Sequence, residues 1–240
     1  MTRVALAALA AAFVLAPAAG AGPTARLTVL AASSLTEVFP QIDRGPSYSF
    51  AGSNQLAFQI RQGAPADLFA SAAPSYAQEL FRDGLVERPR TFAANALVLA
   101  VPRSNPAGLH SVWDLRDKRV RLVVGAPAVP VGDYTRRVLR RLGLTSALDA
   151  AVSQEPDVKS IVGKIAVGEA DAGFVYRTDV RAASGRLRAI PIPAWAQPAV
   201  RYQVAVVRAS RSRTAARRFV DALSTPRARR MLTRAGFTVP

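Results

Sequence analysis

The stretch Val29-Leu-Ala-Ala-Ser-Ser-Leu-Thr-Glu37 decides how this chain is read. Its first half continues an apolar run, residues 27–31, with the character of a buried strand. Its second half, Ser34-Leu-Thr-Glu37, has the S-x-x-E spacing of a capping box, in which a hydroxyl and a carboxylate satisfy two free N–H groups at a helix start. Between the halves, Ala31-Ala-Ser33 offers only small side chains, so another group can approach the backbone. A helix start presents unpaired N–H groups and the positive end of the helix dipole, and it attracts an anion. Plain helix capping is the better explanation of a single such box, so the anion reading depends on further starts of the same kind.

Such starts recur. Ser47-Tyr-Ser-Phe-Ala51 alternates like a strand, and Gly52-Ser-Asn54 leads from it into a helix over residues 55–61. Gly125-Ala-Pro-Ala-Val-Pro-Val-Gly132 reads as a loop before a helix over residues 133–142, stopped by Gly143. Asp157 is the expected N-cap of a fourth helix, with Ile161, Ile165 and Ala166 on its inner face. Strands are predicted at residues 68–70, 97–101, 120–124, 174–176 and 204–207, and further helices at 74–83, 214–223 and 227–234. This alternation predicts an α/β fold with mainly parallel sheets flanked by helices. The apolar strands at 97–101 and 204–207 divide the chain into a first lobe, residues 22–101 and 205–240, and an inserted second lobe, residues 102–204. A ligand cleft is expected between the lobes, at the helix starts beyond the strand ends.

The composition narrows the chemistry. In 240 residues, half of them hydrophobic, there is core enough for one large domain or two lobes. The absence of cysteine excludes disulfides, thiolate metal sites, cysteine nucleophiles and a lipid-modified N-terminal cysteine. The single histidine, His110, sits in a polar loop and argues against a His-cluster metal site or a Ser-His-Asp machine. The formal charge is +16, from 32 basic and 16 acidic residues, and only Lys118, Lys159 and Lys164 are lysines. Such a balance invites a nucleic-acid reading. The arginines are instead scattered over helix faces, such as Arg136, Arg137, Arg140 and Arg141, or along residues 211–234, with no RNP motif, zinc knuckle or Gly/Arg-rich tail. They are expected to be solvated faces, with no nucleic-acid partner. Met1-Thr-Arg3, the apolar residues 4–15 and Ala19-Gly-Ala21 form the three parts of a cleavable signal peptide over residues 1–21, so the mature protein is expected outside the cytoplasmic membrane, periplasmic or secreted.

Six segments carry a resemblance: Leu30-Ala-Ala-Ser-Ser-Leu-Thr36, Phe50-Ala-Gly-Ser-Asn54, Gln62-Gly-Ala-Pro-Ala-Asp-Leu-Phe69, Val129-Pro-Val-Gly-Asp-Tyr134, Gly168-Glu-Ala-Asp-Ala-Gly-Phe-Val-Tyr176 and Ala235-Gly-Phe237. In this order they resemble the periplasmic molybdate-binding proteins of ABC importers, over nearly the whole mature chain. The resemblance implies a two-lobed class II periplasmic binding-protein fold and a monomer without enzymatic activity. It implies no cofactor, with molybdate or tungstate as ligand and a membrane permease as partner. It also implies the oxyanion site: the hydroxyl and N–H of Ser34 and of Ser53, the N–H groups of Val131 and Val158, and the hydroxyl of Tyr176, none of them bonded to the metal itself. The first four of these lie at the four helix starts. A tetrahedral dianion offers only acceptors, so neutral donors at helix ends suit it. A hydrogen-bearing anion such as hydrogen phosphate would find no acceptor there.

The chain departs from that family's pattern in three places. The segment Phe39-Pro-Gln-Ile-Asp-Arg-Gly-Pro46 is several residues short, which predicts a trimmed first helix that still starts at Ser34. Gly52 and Asn54 replace hydroxyl residues, making Asn54 a candidate extra donor, and the branched Val131 narrows the pocket. Asp67 and Asp179 are expected to be structural and Asp133 to face outward. The competing readings are a receptor for sulfate or another oxyanion, an enzyme on a binding-protein scaffold, which needs an acid/base pair in the cleft, and an exported polyanion binder using its arginine surface.

Overall fold

Apolar runs bounded by glycine, proline and asparagine become strands, and the segments between them with apolar residues three and four apart become helices. The computed structural model describes residues 26–117 and 119–240; the expected signal peptide lies outside them. Strand β1 (Thr28–Ala32) passes through a 3-10 turn (Ser33–Leu35) to the one-turn helix α1 (Phe39–Ile42). Then follow β2 (Ser47–Ala51), α2 (Ser53–Arg61), β3 (Leu68–Ser71), α3 (Pro74–Arg82) and β4 (Arg90–Asn95). After Ala96 come β5 (Leu97–Pro102), a 3-10 turn (Val112–Arg116), β6 (Leu122–Gly125), α4 (Pro130–Leu142), α5 (Ser146–Asp149) and β7 (Ser153–Glu155). The chain continues through α6 (Val158–Ala166), β8 (Ala172–Tyr176), α7 (Arg177–Ala182) and β9 (Leu187–Pro191). It closes with β10 (Val200–Val206), α8 (Arg213–Ala222) and α9 (Pro226–Ala235).

The strands form two five-stranded sheets, in the orders β2-β1-β3-β10-β4 and β7-β6-β8-β5-β9. Within the first, β1 runs parallel to β2 and β3, and β10 runs antiparallel to both β3 and β4. The second repeats the scheme: β6 is parallel to β7 and β8, and β5 is antiparallel to β8 and β9. Four strands of each sheet therefore share one direction, and one is reversed. The fold is the expected two-lobed α/β arrangement with mainly parallel sheets.

The reversed strands β5 and β10 are the two apolar runs that the sequence marks as dividers, but β5 lies in the second sheet and not the first, and β10 lies in the first sheet from Val200 onward and not only from residue 205. Leu97–Ala100 pair with Tyr176–Gly173 in the second sheet, and all of β10 lies in the first. The crossings thus fall at Ala96 and between Pro191 and Val200, not at residues 101/102 and 204/205. An all-apolar strand announces burial on both faces without saying which sheet will bury it.

A second correction concerns the first helix. The capping box of Ser34 and Glu37 does not form: the Ser34 hydroxyl meets Tyr202 and Glu37 pairs with Lys159. Pro40 explains this. It has no N–H for the Thr36 carbonyl and its ring would strike that carbonyl in a continuous helix, so the chain makes a 3-10 turn and restarts at Phe39 with proline in the first turn of α1. By the same preference Pro130 starts α4 ahead of the expected Asp133.

The two lobes touch across the cleft. Lys159 Nζ lies 2.6 Å from Glu37, the Tyr134 hydroxyl donates to the Ala72 carbonyl at 3.3 Å, and the Tyr76 hydroxyl donates to the Ala128 carbonyl. Between the lobes Phe92, Tyr176 and Phe237 pack edge-on around the ring of Tyr202, with centroids 5.3–6.2 Å away.

Candidate anion-binding site

Strand ends and helix starts from both lobes converge on one small cavity. Ser34 follows β1 and Ser53 opens α2, both from the first lobe; Val131 is in the first turn of α4, Val158 opens α6 and Tyr176 ends β8, all from the second. These five residues, the ones singled out in the sequence, line the cavity together. The cavity is small, closed in by Ala32, Ala51, Gly52 and Ala72 on one side and Val129 and Pro130 on the other.

Each member can donate. Ser53 is the first residue of α2, and its hydroxyl oxygen accepts the Ala72 N–H at 3.1 Å, which leaves its proton for the cavity. Val131 lies in the first turn of a helix, where N–H groups have no intrahelical acceptor. At Val158 the local chemistry is explicit. The preceding Asp157 caps α6 by accepting the N–H groups of Lys159 at 2.7 Å and Ser160 at 3.1 Å, and not that of Val158. The Tyr176 hydroxyl is buried with no hydrogen-bond partner among the described residues. Burial, followed by neighbouring tyrosines and Asp179, holds its acidity well below that of an ordinary phenol, so it remains a neutral O–H donor. An unpaired buried hydroxyl is costly. It lies beside two serine hydroxyls and two helix starts, so one acceptor group in the cavity could serve all of them.

No lysine or arginine lines the cavity, and its one charged neighbour, Asp157, is held to the helix start it caps. Any anion here is stabilised by dipoles and hydrogen bonds alone. Asp67 accepts the Thr28 N–H at 2.7 Å and the Ser210 hydroxyl, and Asp133 pairs outward with Arg137 at 2.6 Å. Asp179 accepts the Tyr176 N–H at 3.0 Å, fixing the end of β8. Burial pushes its carboxyl up to about 6, against the opposing pull of Lys159 Nζ at 3.5 Å.

Three contributors escaped the sequence reading. A Cβ on Gly52 would lie 2.5 Å from the Pro156 carbonyl oxygen of the other lobe, so only glycine permits this closure. Tyr202 contacts Ser34 from β10, and Tyr134 reaches across to Ala72. Asn54, expected as an extra donor, does not line the cavity. A tyrosine within an apolar strand carries no mark that separates a site neighbour from core. For Gly52, the signal available was a glycine standing where a hydroxyl residue is usual.

The fold and this donor-lined cleft are those of an extracytoplasmic solute receptor, and comparison bears out the class. Residues 46–238 match the family of bacterial extracellular solute-binding proteins, and the chain belongs to that family. Within it, the chain is 34% identical over 233 residues to the molybdate-binding protein ModA of Mycobacterium tuberculosis, covering 92% of this chain and 88% of that one. It is 31% identical over 230 residues to the molybdate-binding protein ModA of Escherichia coli, covering 89% of each. The periplasmic molybdate-binding protein of Azotobacter vinelandii shares the fold with a TM-score of 0.78, at 23% identity over 90% of this chain and 100% of that one.

Proposed function

We propose that this chain is a periplasmic receptor that captures molybdate or tungstate between its lobes and delivers it to the membrane permease of an ABC importer. The observation that carries this reading is the buried hydroxyl of Tyr176, without a partner among the described residues, in a cavity it shares with the Ser34 and Ser53 hydroxyls and two helix starts, while the Asp157 carboxylate is engaged in capping α6. A fully deprotonated tetrahedral oxyanion satisfies every one of these groups, and a hydrogen-bearing anion sets proton against proton. The ligand joins Ser34 and Ser53 of one lobe to Val131, Val158 and Tyr176 of the other, so neither lobe alone completes its shell. Binding energy is therefore available to hold the lobes together, and the closed surface is what a permease would read. The chain acts as a monomer and catalyses nothing: it binds and releases. Export by the signal peptide at residues 1–21 brings it to the compartment where this is useful.

Calorimetric titration of the mature protein with molybdate, tungstate, sulfate and phosphate tests the reading. Tight binding of molybdate and tungstate with no heat from phosphate is expected. Heat from sulfate alone would make the chain a sulfate receptor, and heat from none would overturn the proposal.

A further inference from the structure

Tyr202 stands behind the site without lining the cavity, and the polarity of its hydrogen bonds has a consequence for Ser34. Its ring is fully buried on β10, and its hydroxyl has two neighbours, the Ser34 hydroxyl at 2.8 Å and the Asn95 side-chain nitrogen at 3.5 Å. The Asn95 amide is oriented independently. Its oxygen accepts the Ala96 N–H at 2.9 Å, so its nitrogen faces Thr178 at 2.9 Å and Tyr202. An amide nitrogen donates only. Among the described residues, the one acceptor within reach of the Tyr202 proton is therefore the Ser34 oxygen. The reverse polarity would leave a buried phenolic proton unpaired.

We propose that Tyr202 is a positioning residue for oxyanion selection: by donating to Ser34 it occupies one lone pair of the Ser34 oxygen and turns the Ser34 proton toward the cavity. This rests on the oxyanion reading above. Ser53 is held in the same sense by the backbone N–H of Ala72, so the two serines, which could each have accepted a proton from a ligand, are both turned into donors. A ligand that carries its own proton, such as hydrogen phosphate, then meets a serine proton turned toward the cavity at both and is disfavoured. The difference is that Ser53 is polarised by backbone and Ser34 by a removable side-chain hydroxyl. Without that hydroxyl Ser34 can rotate and accept.

The test is a double-mutant cycle on the mature protein, with dissociation constants for molybdate and, by competition, for hydrogen phosphate near neutral pH. Tyr202→Phe keeps the ring and its edge contacts. It is expected to weaken molybdate roughly tenfold, the scale of one hydrogen bond to a charged group, while hydrogen phosphate binding holds or improves. In the Ser34→Ala background the same substitution is expected to leave molybdate affinity unchanged, because Tyr202 acts only through that hydroxyl. Equal weakening of both anions, or a molybdate loss that persists without the Ser34 hydroxyl, would make Tyr202 a packing residue and overturn the proposal. Unchanged molybdate affinity in Tyr202→Phe would overturn it too. Should that variant not fold, Asn95→Asp probes the same polarity. Its carboxylate takes the Tyr202 proton, Ser34 turns to donate to Tyr202, and Ser34→Ala should then cost no molybdate affinity; a full cost would refute the assignment. Failure of the wild type to bind any oxyanion would remove the functional reading itself, and this inference with it.

Discussion

Replacing Tyr176 by Phe separates a ligand-binding hydroxyl from a structural one, because the two roles give effects of opposite sign. The hydroxyl is fully buried and has no partner among the described residues. If it completes the shell of an oxyanion, its loss removes one hydrogen bond to a charged acceptor, about 1.5–3 kcal/mol. At about 1.4 kcal/mol per decade, the dissociation constant for molybdate should rise roughly 10- to 150-fold. In a ligand-free protein whose cleft is closed as in this structure the hydroxyl is unsatisfied, and deleting an unsatisfied buried polar group there costs nothing; where the ligand-free cleft is open, water satisfies the hydroxyl and the deletion is neutral. A gain of about 1 kcal/mol would raise the melting temperature by about 2–4 °C for a chain of this size. Calorimetric titration measures the first quantity and differential scanning calorimetry of the ligand-free protein the second. A molybdate constant within twofold of wild type, together with a lowered ligand-free melting temperature, would show that the hydroxyl serves the fold, and the site assignment would fall.

Gly52→Ala places a Cβ 2.5 Å from the Pro156 carbonyl oxygen of the opposite lobe. An overpacking cost of about 1–3 kcal/mol should weaken molybdate roughly 5- to 150-fold and abolish the ligand-induced contraction that small-angle scattering should see in wild type; contraction equal to wild type would mean the lobes close by another path. The Asp179 carboxyl, raised from 3.8 to about 6 by burial, binds its proton more tightly folded than unfolded. Its contribution is therefore present in full below the unfolded value and is lost as pH rises through about 6, on the order of 3 kcal/mol. Asp179→Asn should gain stability relative to wild type between about pH 4 and pH 7 in denaturant titrations, and a constant difference would count against the assignment. The Lys159–Glu37 pair that spans the cleft is partly exposed, so Glu37→Gln should weaken molybdate by no more than about fivefold, an effect that vanishes in high salt; a larger, salt-independent loss would place Glu37 in the site itself.

How far the sequence was legible depends on the range of each determinant. Asp157 before Val158 is a local signal, and the cap forms as read. Pro130 is equally local, and its preference for a first helical turn locates Val131. The Ser34–Glu37 spacing misled because Pro40, three residues beyond the box, forbids the helix that the box would cap. What the sequence could not display is pairing at a distance. Tyr202 meets Ser34 only after the chain has crossed to the second lobe and returned, and Gly52 matters only because Pro156 arrives opposite it. The lobe boundaries slipped for the same reason: the residues of β5 and β10 specify burial, and their hydrogen-bonding partners, far away in the chain, specify the sheet.

The place of β10 in the first sheet sets an order of assembly during synthesis. Every strand of the second sheet lies within residues 97–191, so that lobe has all its parts as soon as β9 emerges. The first lobe begins earlier but must wait, since β10 lies between β3 and β4, with Val204 opposite Ala70. Until residues 200–206 arrive, both of those strands carry unpaired backbone edges, the kind of surface on which chains mispair. Closing so long a loop is a slow, non-local event. The half of the protein made first is thus completed last, and the anion cavity, which needs Ser34 and Ser53 held against Tyr176, does not exist until the C-terminal return has been made.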